Sequence, residues 1–439
     1  MPAPHPRRLW RFTLASAVSA TLLAVVAGCE PSHAGTAAAS TPTKAASATA
    51  AVSSTPSGKA NAAGGGRTPG STPSGGSTSV GGGSTTGNSV TFMGKSTVSI
   101  GGGMTDASAA AAPFDVRYQY LVSPPAPSRD LYTASSCPNG LNWWGCVDGG
   151  RGGIIPTMEA RAAQATYHGR PHPQTMMWTW FELPDLTTNP TWQEEVQAVN
   201  RVDLLTRYLN DYRFFLQKIG TSHDMIDLEP DFWGFARGMG NVTKVPAQVT
   251  AAAPQDCANQ ANSVAGLAHC LIAMTRKYAP NAAVGLHLTC WDWPGNVARC
   301  GRDYVALGAT GADFLVGEVE AADAGVNALP ANGGHNSFWT NQKWAAQLAY
   351  WKQMADTVGH PIVAWQIPLG NMRQNNTVNH YKDDKVDWLF SHMDQVASAH
   401  VAGLLFGPGT PDSTTVESDG GNLFAKTIAY RNSGGTPLK

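Results

Sequence analysis

The sequence predicts an α/β fold, a (β/α)8-type (TIM) barrel with irregularities, preceded by a disordered linker. Three observations predict it. After Pro113, apolar runs of strand length alternate with segments of helical periodicity, the pattern of successive βα units and a parallel sheet. The alternation fills residues 113–439, a stretch suited to one large barrel domain. Reactive side chains gather where the strand-like runs end, the side on which parallel α/β folds present their sites. An open doubly wound sheet is the second architecture, and no G-x-G-x-x-G follows its first strand.

Taken in order, residues 1–28 read as a lipoprotein signal peptide. Arg7, Arg8 and Arg11 precede an apolar run over 14–27 that is too short for a comfortable membrane span. The run ends in Val26-Ala27-Gly28-Cys29, which resembles the bacterial lipobox. That resemblance implies cleavage before Cys29, lipidation of its amino terminus, and a chain held on the extracytoplasmic side of a bacterial membrane. Residues 29–112 are rich in Ser, Thr, Gly, Ala and Pro, cannot bury a core, and are expected to be a disordered tether. As a flexible coil it would span roughly 50 Å. Two alternating stretches inside it, 89–93 and 96–100, suggest local pairing and no more.

Strands are expected at 116–122, 175–181, 225–229, 283–289, 313–319, 361–367 and 401–406. An eighth is sought near 153–156 or after Asp419. Amphipathic helices are expected at 202–219, 259–278, 342–358 and 385–400, each with apolar residues at helical spacing.

Charge and cysteines narrow the function. The formal net charge is −1, and Lys and Arg are not clustered, so nothing argues for a nucleic acid or an anionic membrane surface as partner. With Cys29 set aside, six cysteines remain, an even number that suits disulfides in an exported chain. Proximity favours Cys137–Cys146, Cys257–Cys270 and Cys290–Cys300 among the connectivities that six cysteines allow. The second pair is the least secure, because its spacing does not bring two residues to one face of a straight helix. No C-x-x-C is present, which argues against zinc and thioredoxin-like chemistry.

The chemical centre is the run His223-Asp-Met-Ile-Asp-Leu-Glu-Pro-Asp231. Strand alternation would put Met225, Asp227 and Glu229 on one face, with Ile226 and Leu228 on the other. Pro230 would end the ladder, leaving Glu229 at the strand end and Asp231 just beyond. An unpaired carboxylate inside a barrel is costly, so these acids should be paired or catalytic. The structural alternative has Asp227 and Asp231 capping loops and Glu229 bound to an arginine.

Other strand ends add Trp178-Thr-Trp180-Phe-Glu182, His287, Trp291-Asp-Trp293, Glu318-Val-Glu320-Ala-Ala-Asp323 and Trp365-Gln366. All but one of the 14 tryptophans follow Pro113, and flat rings beside carboxylates suit a sugar, with its apolar C–H face and rim of hydroxyls. Trp344, Trp351 and Trp388, on helices, are expected in the core. Trp233, Trp293 and Trp365 are expected at the substrate, together with Trp180, Asp231, His287, Asp323 and Gln366. Glycosidic bonds are usually cleaved by two carboxyl groups, one protonated and one ionised. Glu229 is the expected general acid, its pKa raised by Asp227 and by desolvation against Trp233. Glu320, with Glu318 as rival, is the expected base or nucleophile.

Asp227-Leu-Glu229 resembles the D-x-E element of lysozyme-like and chitinase-like (β/α)-barrel glycoside hydrolases, in which the Glu donates the proton. Trp365-Gln366 is similar to a W-Q pair of the lysozyme-like barrels. The chain departs from both patterns, with Met225 where the chitinase pattern has Asp and Asp115-Val-Arg117 where the lysozyme-like pattern has D-x-S. The resemblance implies a glycoside hydrolase, with peptidoglycan and chitin both left open as substrate; a polysaccharide substrate, a monomer, no cofactor and no catalytic metal are expected. Calcium on loop residues such as Asp412 and Asp419 is left open. The alternative is a surface lipoprotein that binds carbohydrate without cleaving it. No G-x-S-x-G, H-E-x-x-H or Walker motif supports another hydrolase or nucleotide chemistry.

Overall fold

A computed structural model describes residues 90–122, 144–146, 152–188, 190–291, 295–332 and 334–439. Cys29, Cys137 and Trp293 lie outside the described residues, as does the expected signal peptide.

Eight strands close a barrel: β1 (Ser99–Gly102), β2 (Val116–Leu121), β3 (Thr175–Trp180), β4 (Met225–Leu228), β5 (Ala283–Leu288), β6 (Phe314–Glu318), β7 (Ile362–Ile367) and β8 (Val401–Phe406). Each pairs in parallel with the next in sequence, and β8 pairs with β1 to complete the circle. The larger helices are α1 (Asp106–Ala111), α2 (Ile154–Ala163), α3 (Trp192–Ala198), α4 (Val202–Ile219), α5 (Phe232–Met239), α6 (Val264–Tyr278), α7 (Val297–Ala306), α8 (Asn341–Val358), α9 (Lys385–Ser391), α10 (Met393–Ser398) and α11 (Asn422–Asn432). They alternate with the strands around the barrel. Among the described residues no helix is long and apolar enough to cross a membrane.

The seven expected strands are present, and the eighth is not where it was sought. Residues 153–156 lead into α2, and the chain after Asp419 forms α11. The missing strand is β1, inside the stretch expected to be linker, so the barrel begins well before residue 113. Ser-Ile-Gly-Gly carries little strand signal because two of its four residues lack side chains. Gly101 is nonetheless required, since a Cβ there would overlap the Val116 backbone of the neighbouring strand. The end of the chain holds this strand in place: Val98 N donates to Thr436 O at 2.9 Å and Leu438 N to Ser96 O at 2.9 Å.

Helix boundaries follow caps. α4 matches its expected span, buries Leu205, Tyr208, Leu209, Tyr212 and Phe215 on one face, and stops at Gly220 in a left-handed conformation (φ 57°). α6 starts later than expected, where the Ser263 hydroxyl accepts from Gly266 N. Cys257 therefore sits on a separate turn, Pro254–Cys257, and its disulfide to Cys270 joins that turn to the helix rather than two positions of one helix. Cys290–Cys300 is also present, and Cys146 is disulfide-bonded. The helix expected at 385–400 is broken at His392 into α9 and α10.

The barrel's interior is apolar at the amino end, where Phe92 lies edge-on to Phe314 (5.8 Å) above Met225 and Met177. It becomes polar towards the carboxyl end. Asp224 is among the acids buried outside the barrel at the amino end: it accepts from Trp178 Nε1 at 2.6 Å, with Glu159 of α2 beside it. Burial pushes the Asp224 carboxyl up to about 8; the Trp178 bond opposes this and Glu159 adds to it.

This raised value has a definite sign in stability. The folded chain keeps a proton that the unfolded chain, with Asp near 3.9, releases, so stability falls as pH rises from about 4 to about 8. In Asp224→Asn, where the amide oxygen keeps the indole bond, melting temperature relative to the natural chain should climb between pH 5 and pH 8.5. Thermal scans across that range giving a constant difference would refute the assignment.

Candidate active site

Strand parity selects the groups that face the barrel's carboxyl mouth. Cross-strand registry pairs Tyr120 with Thr179, Thr179 with Asp227, and Glu318 with Trp365. Tyr120 and Asp227 continue the inward faces begun by Tyr118 and Met225, while Glu318 continues that of Val316 and Phe314. Asp227 is fully buried, and its carboxylate meets His287 Nδ1 at 3.2 and 3.3 Å. The exit of β5 is fixed by Tyr304 of α7, which donates to His287 O at 2.5 Å and accepts from Thr289 N at 2.7 Å. The Trp365 ring stands edge-on to the imidazole at 5.0 Å and lies 5.4 Å from the Tyr120 ring. Gln366 Nε2 donates to the Tyr120 hydroxyl.

Electrostatics tie these groups together. Burial alone would depress His287, but Asp227, then Glu318 and Asp231, outweigh it and raise the imidazole above its usual range. Burial is also the largest cause raising the Tyr120 phenol, followed by Tyr118 and the same three carboxylates. Asp227 and Asp231 from the β4 end and Glu318 from the β6 end thus surround one imidazole and one phenol. Glu318, Asp231 and Tyr120 are half-buried, open to solvent in part, whereas Asp227 and His287 lie below them.

The backbone at the mouth is strained in three places. Glu229 (φ 52°), Asp231 (φ 72°) and Gln366 (φ 52°) all occupy the left-handed region without being glycine, at a cost of about 1–3 kcal/mol each. The turn at Glu229 breaks the alternation of β4. Its side chain leaves the barrel wall on the outer side, where its carboxyl oxygens accept from Glu182 N (3.1 Å) and Leu183 N (3.3 Å). Tyr208 and Tyr212 of α4 lie behind it, and it is fully buried. Burial pushes the carboxyl well above the usual range; the two amides and Tyr208 oppose this, and Glu195 adds to it. Glu229 therefore does not reach the mouth, contrary to the role of general acid, and its partners are amides rather than an arginine.

Four further expectations change. Glu320 points to Lys343 Nζ (2.8 Å) and Trp339 Nε1 (3.1 Å); burial would raise it, but Lys343, Lys385 and the indole outweigh burial and hold it below the usual range. Glu318 remains the acid of β6 that faces the mouth. Asp323, fully buried, accepts from Gly370 N (2.8 Å) and Thr414 N (2.7 Å) and so ties three loops together; burial beside Asp383 pushes it up to about 7. Trp180 stacks on Phe215 of α4 (5.1 Å, 17°), and Trp233 donates its indole N–H to Leu228 O at 2.8 Å. Both are core residues between barrel and helices, because Trp180 has the outward parity of β3 and Trp233 follows the two left-handed turns. Trp344 and Trp351 are buried as expected. Tyr120 and Thr179 were missed; the alternation of Val116, Tyr118 and Tyr120 was the signal for the first.

Comparison with known proteins gives distant likenesses in structure alone. No family model matches the chain, and no curated protein does. Among solved structures it is similar to an endo-β-1,4-mannanase from Thermotoga petrophila, at 11% identity over 78% of each chain with a TM-score of 0.42. An endo-1,4-β-mannanase from Rhizomucor miehei shares 11% identity over 79% of this chain and 99% of its own, with a TM-score of 0.43. A GH5 xyloglucan-specific β-1,4-glucanase from a ruminal metagenomic library shares 10% over 76% and 89%, with a TM-score of 0.39. Likeness at this level carries no argument about chemistry, which rests on the residues of the mouth.

The raised His287 gives a second test. A histidine whose folded pKa exceeds its unfolded value near 6.5 contributes stability that is full below that value and is lost as pH rises through the folded one. The destabilisation caused by His287→Gln should be largest at pH 5–6 and shrink by pH 9. Urea titrations giving the same loss at every pH would rule out a charged pair with Asp227.

Proposed function

We propose that the chain is a glycoside hydrolase acting on a polysaccharide, with Glu318 and Asp231 as its carboxyl pair. The observation that carries this reading is the gathering of Asp227, Asp231 and Glu318 about His287 and Tyr120, beside Trp365. Glu318 and Asp231 are the members with solvent access, and they come from different strands of the ring. One delivers a proton to the departing glycosidic oxygen while the other attacks the anomeric carbon or activates water. The positive charge that develops on the sugar is then met by a site already rich in carboxylates. Asp231 precedes α5 without making a side-chain bond to the helix, which leaves its carboxylate available.

The remaining groups position. Asp227 and His287 form a buried pair beneath the reacting carboxyls and balance part of their charge. The Tyr120 phenol stays neutral at physiological pH and, with the Gln366 amide, offers hydrogen bonds to sugar hydroxyls. Export and anchoring through Cys29 belong to the same proposal, and the disulfides Cys257–Cys270 and Cys290–Cys300 support an oxidising compartment. The chain would act as a monomer whose partners are the polysaccharide and, through the lipid, the membrane.

Reducing-sugar release from β-mannan, xyloglucan, chitin and peptidoglycan tests the reading. Glu318→Gln and Asp231→Asn should each lower kcat at least ~10²-fold, the scale of acid–base catalysis. Azide should restore turnover to the variant lacking the nucleophile or base. An aryl glycoside with a good leaving group should restore it to the variant lacking the acid. Undiminished turnover in either variant removes that residue. Tight binding with no product from any polymer would favour the non-catalytic reading.

A further inference from the structure

The carboxyl rim carries a second feature, formed by the connections that follow β3, β4 and β5. Each contributes one ring: Trp192 at the start of α3, Phe235 in α5, and Trp291 after β5. Phe235 lies 4.8 Å from Trp291 and 6.1 Å from Trp192, nearly parallel to the latter at 30°. Trp291 is 44% exposed, and among the described residues no other aromatic side chain is in the exposed class. Trp192 and Phe235 are half-buried. Among the described residues every other indole is buried or half-buried, so an open tryptophan backed by two more rings is a departure that folding does not require.

The row is held rigidly and joins the mouth. Phe235 N donates to Asp231 O at 3.1 Å, so the ring stands one turn from a proposed catalytic carboxylate. Gly234 N donates to Thr289 Oγ1 at 3.0 Å, and a Cβ at Gly234 would come within 3.1 Å of the Trp291 ring, so glycine permits the indole to lie against α5. Arg237 fastens the same segment, donating to Thr289 O (3.2 Å) and Asp303 (2.9 Å). Thr289 in turn sits two residues beyond His287. At Trp192, a capping box between Thr191 and Glu194 fixes the first turn of α3.

We propose that Trp192, Phe235 and Trp291 form a stacking platform for a neutral polysaccharide, extending the binding surface from the catalytic mouth along the barrel rim. The proposal rests on the reading of the mouth as a polysaccharide hydrolase, and it adds where sugar units beyond the bond cleaved are held and that they are uncharged. Uncharged rings suit the C–H faces of neutral pyranoses, and a preorganised platform loses little entropy on binding. An anionic glycan finds no cation among the three stacking residues.

Affinity electrophoresis in gels containing β-mannan, xyloglucan or hydroxyethylcellulose tests this, using the full chain carrying Glu318→Gln so that the polymer is not cut during the run. Retardation by at least one polymer is expected. Adding Trp291→Ala should weaken it about fivefold or more, the scale of about 1 kcal/mol for one aromatic contact. Adding Met372→Ala, at another exposed apolar position, should not. Unchanged retardation in the Trp291 variant overturns the platform, as does absence of retardation by every polymer. Either result leaves polysaccharide hydrolysis standing if the natural chain releases sugar. Conversely, Trp291-dependent retardation without hydrolysis would keep the platform and sink the catalytic reading. Sedimentation showing that Trp291→Ala splits a dimer would assign the rings to a self-interface and overturn the proposal.

Discussion

The hinge of this structure is the bond pair from the Glu229 carboxyl to the amides of Glu182 and Leu183. It holds the end of β4 in a left-handed turn that an ordinary residue avoids, and that turn sorts three neighbouring acids. Asp227, before it, keeps the inward parity of the strand. Glu229, within it, is carried through the wall to the helix layer, and Asp231, after a second left-handed residue, returns to the mouth. Without the clamp, simple alternation would place Asp227 and Glu229 on the same face and leave the loop after β3 unanchored. Burying a carboxyl this completely is costly, and the two amides and the adjacent phenol of Tyr208 offset part of that cost.

The same turn decides which strands confront each other. With Glu229 withdrawn, the acids left at the mouth are Asp227 and Asp231 from β4 and Glu318 from β6, with β5 between them supplying His287. The imidazole is drawn towards its charged form by carboxylates on both sides, and Trp365 closes one face of it. Tyr304 fixes the backbone at His287, and the disulfide from Cys290 to Cys300 ties the following loop to the same helix α7. Rigidity of this kind is what a site requires when small displacements of reacting groups are expensive.

Much of the barrel was legible because strand and helix periods differ and both were strong: α4 and β8 fall where the pattern places them. β1 was not legible, since a Ser-Ile-Gly-Gly strand is specified by the close approach of Val116 and by pairing with the chain's last residues, not by its own hydrophobicity. The site was half legible. Asp227, His287, Trp365 and Glu318 follow from parity and strand ends, because parity holds wherever φ is ordinary. Glu229 and Trp233 were misplaced because parity fails at a positive φ, which the sequence Leu-Glu-Pro-Asp does not announce. Glu320 was misplaced for another reason: Lys343 and Trp339, which capture it, are distant in sequence from the strand end.

Asp115 at the amino end and Asp227 at the carboxyl end are buried acids held by different partners. At the amino end Asp115 accepts from Ile100 N at 2.9 Å and is paired with Lys95 and Arg431. That carboxylate, next to the start of β2, holds β1 against it. At the carboxyl end Asp227 is met by the His287 imidazole, which burial would depress but the carboxylates of Asp227, Glu318 and Asp231 raise. Three left-handed residues, Glu229, Asp231 and Gln366, stand around this mouth and fix which side chains enter it.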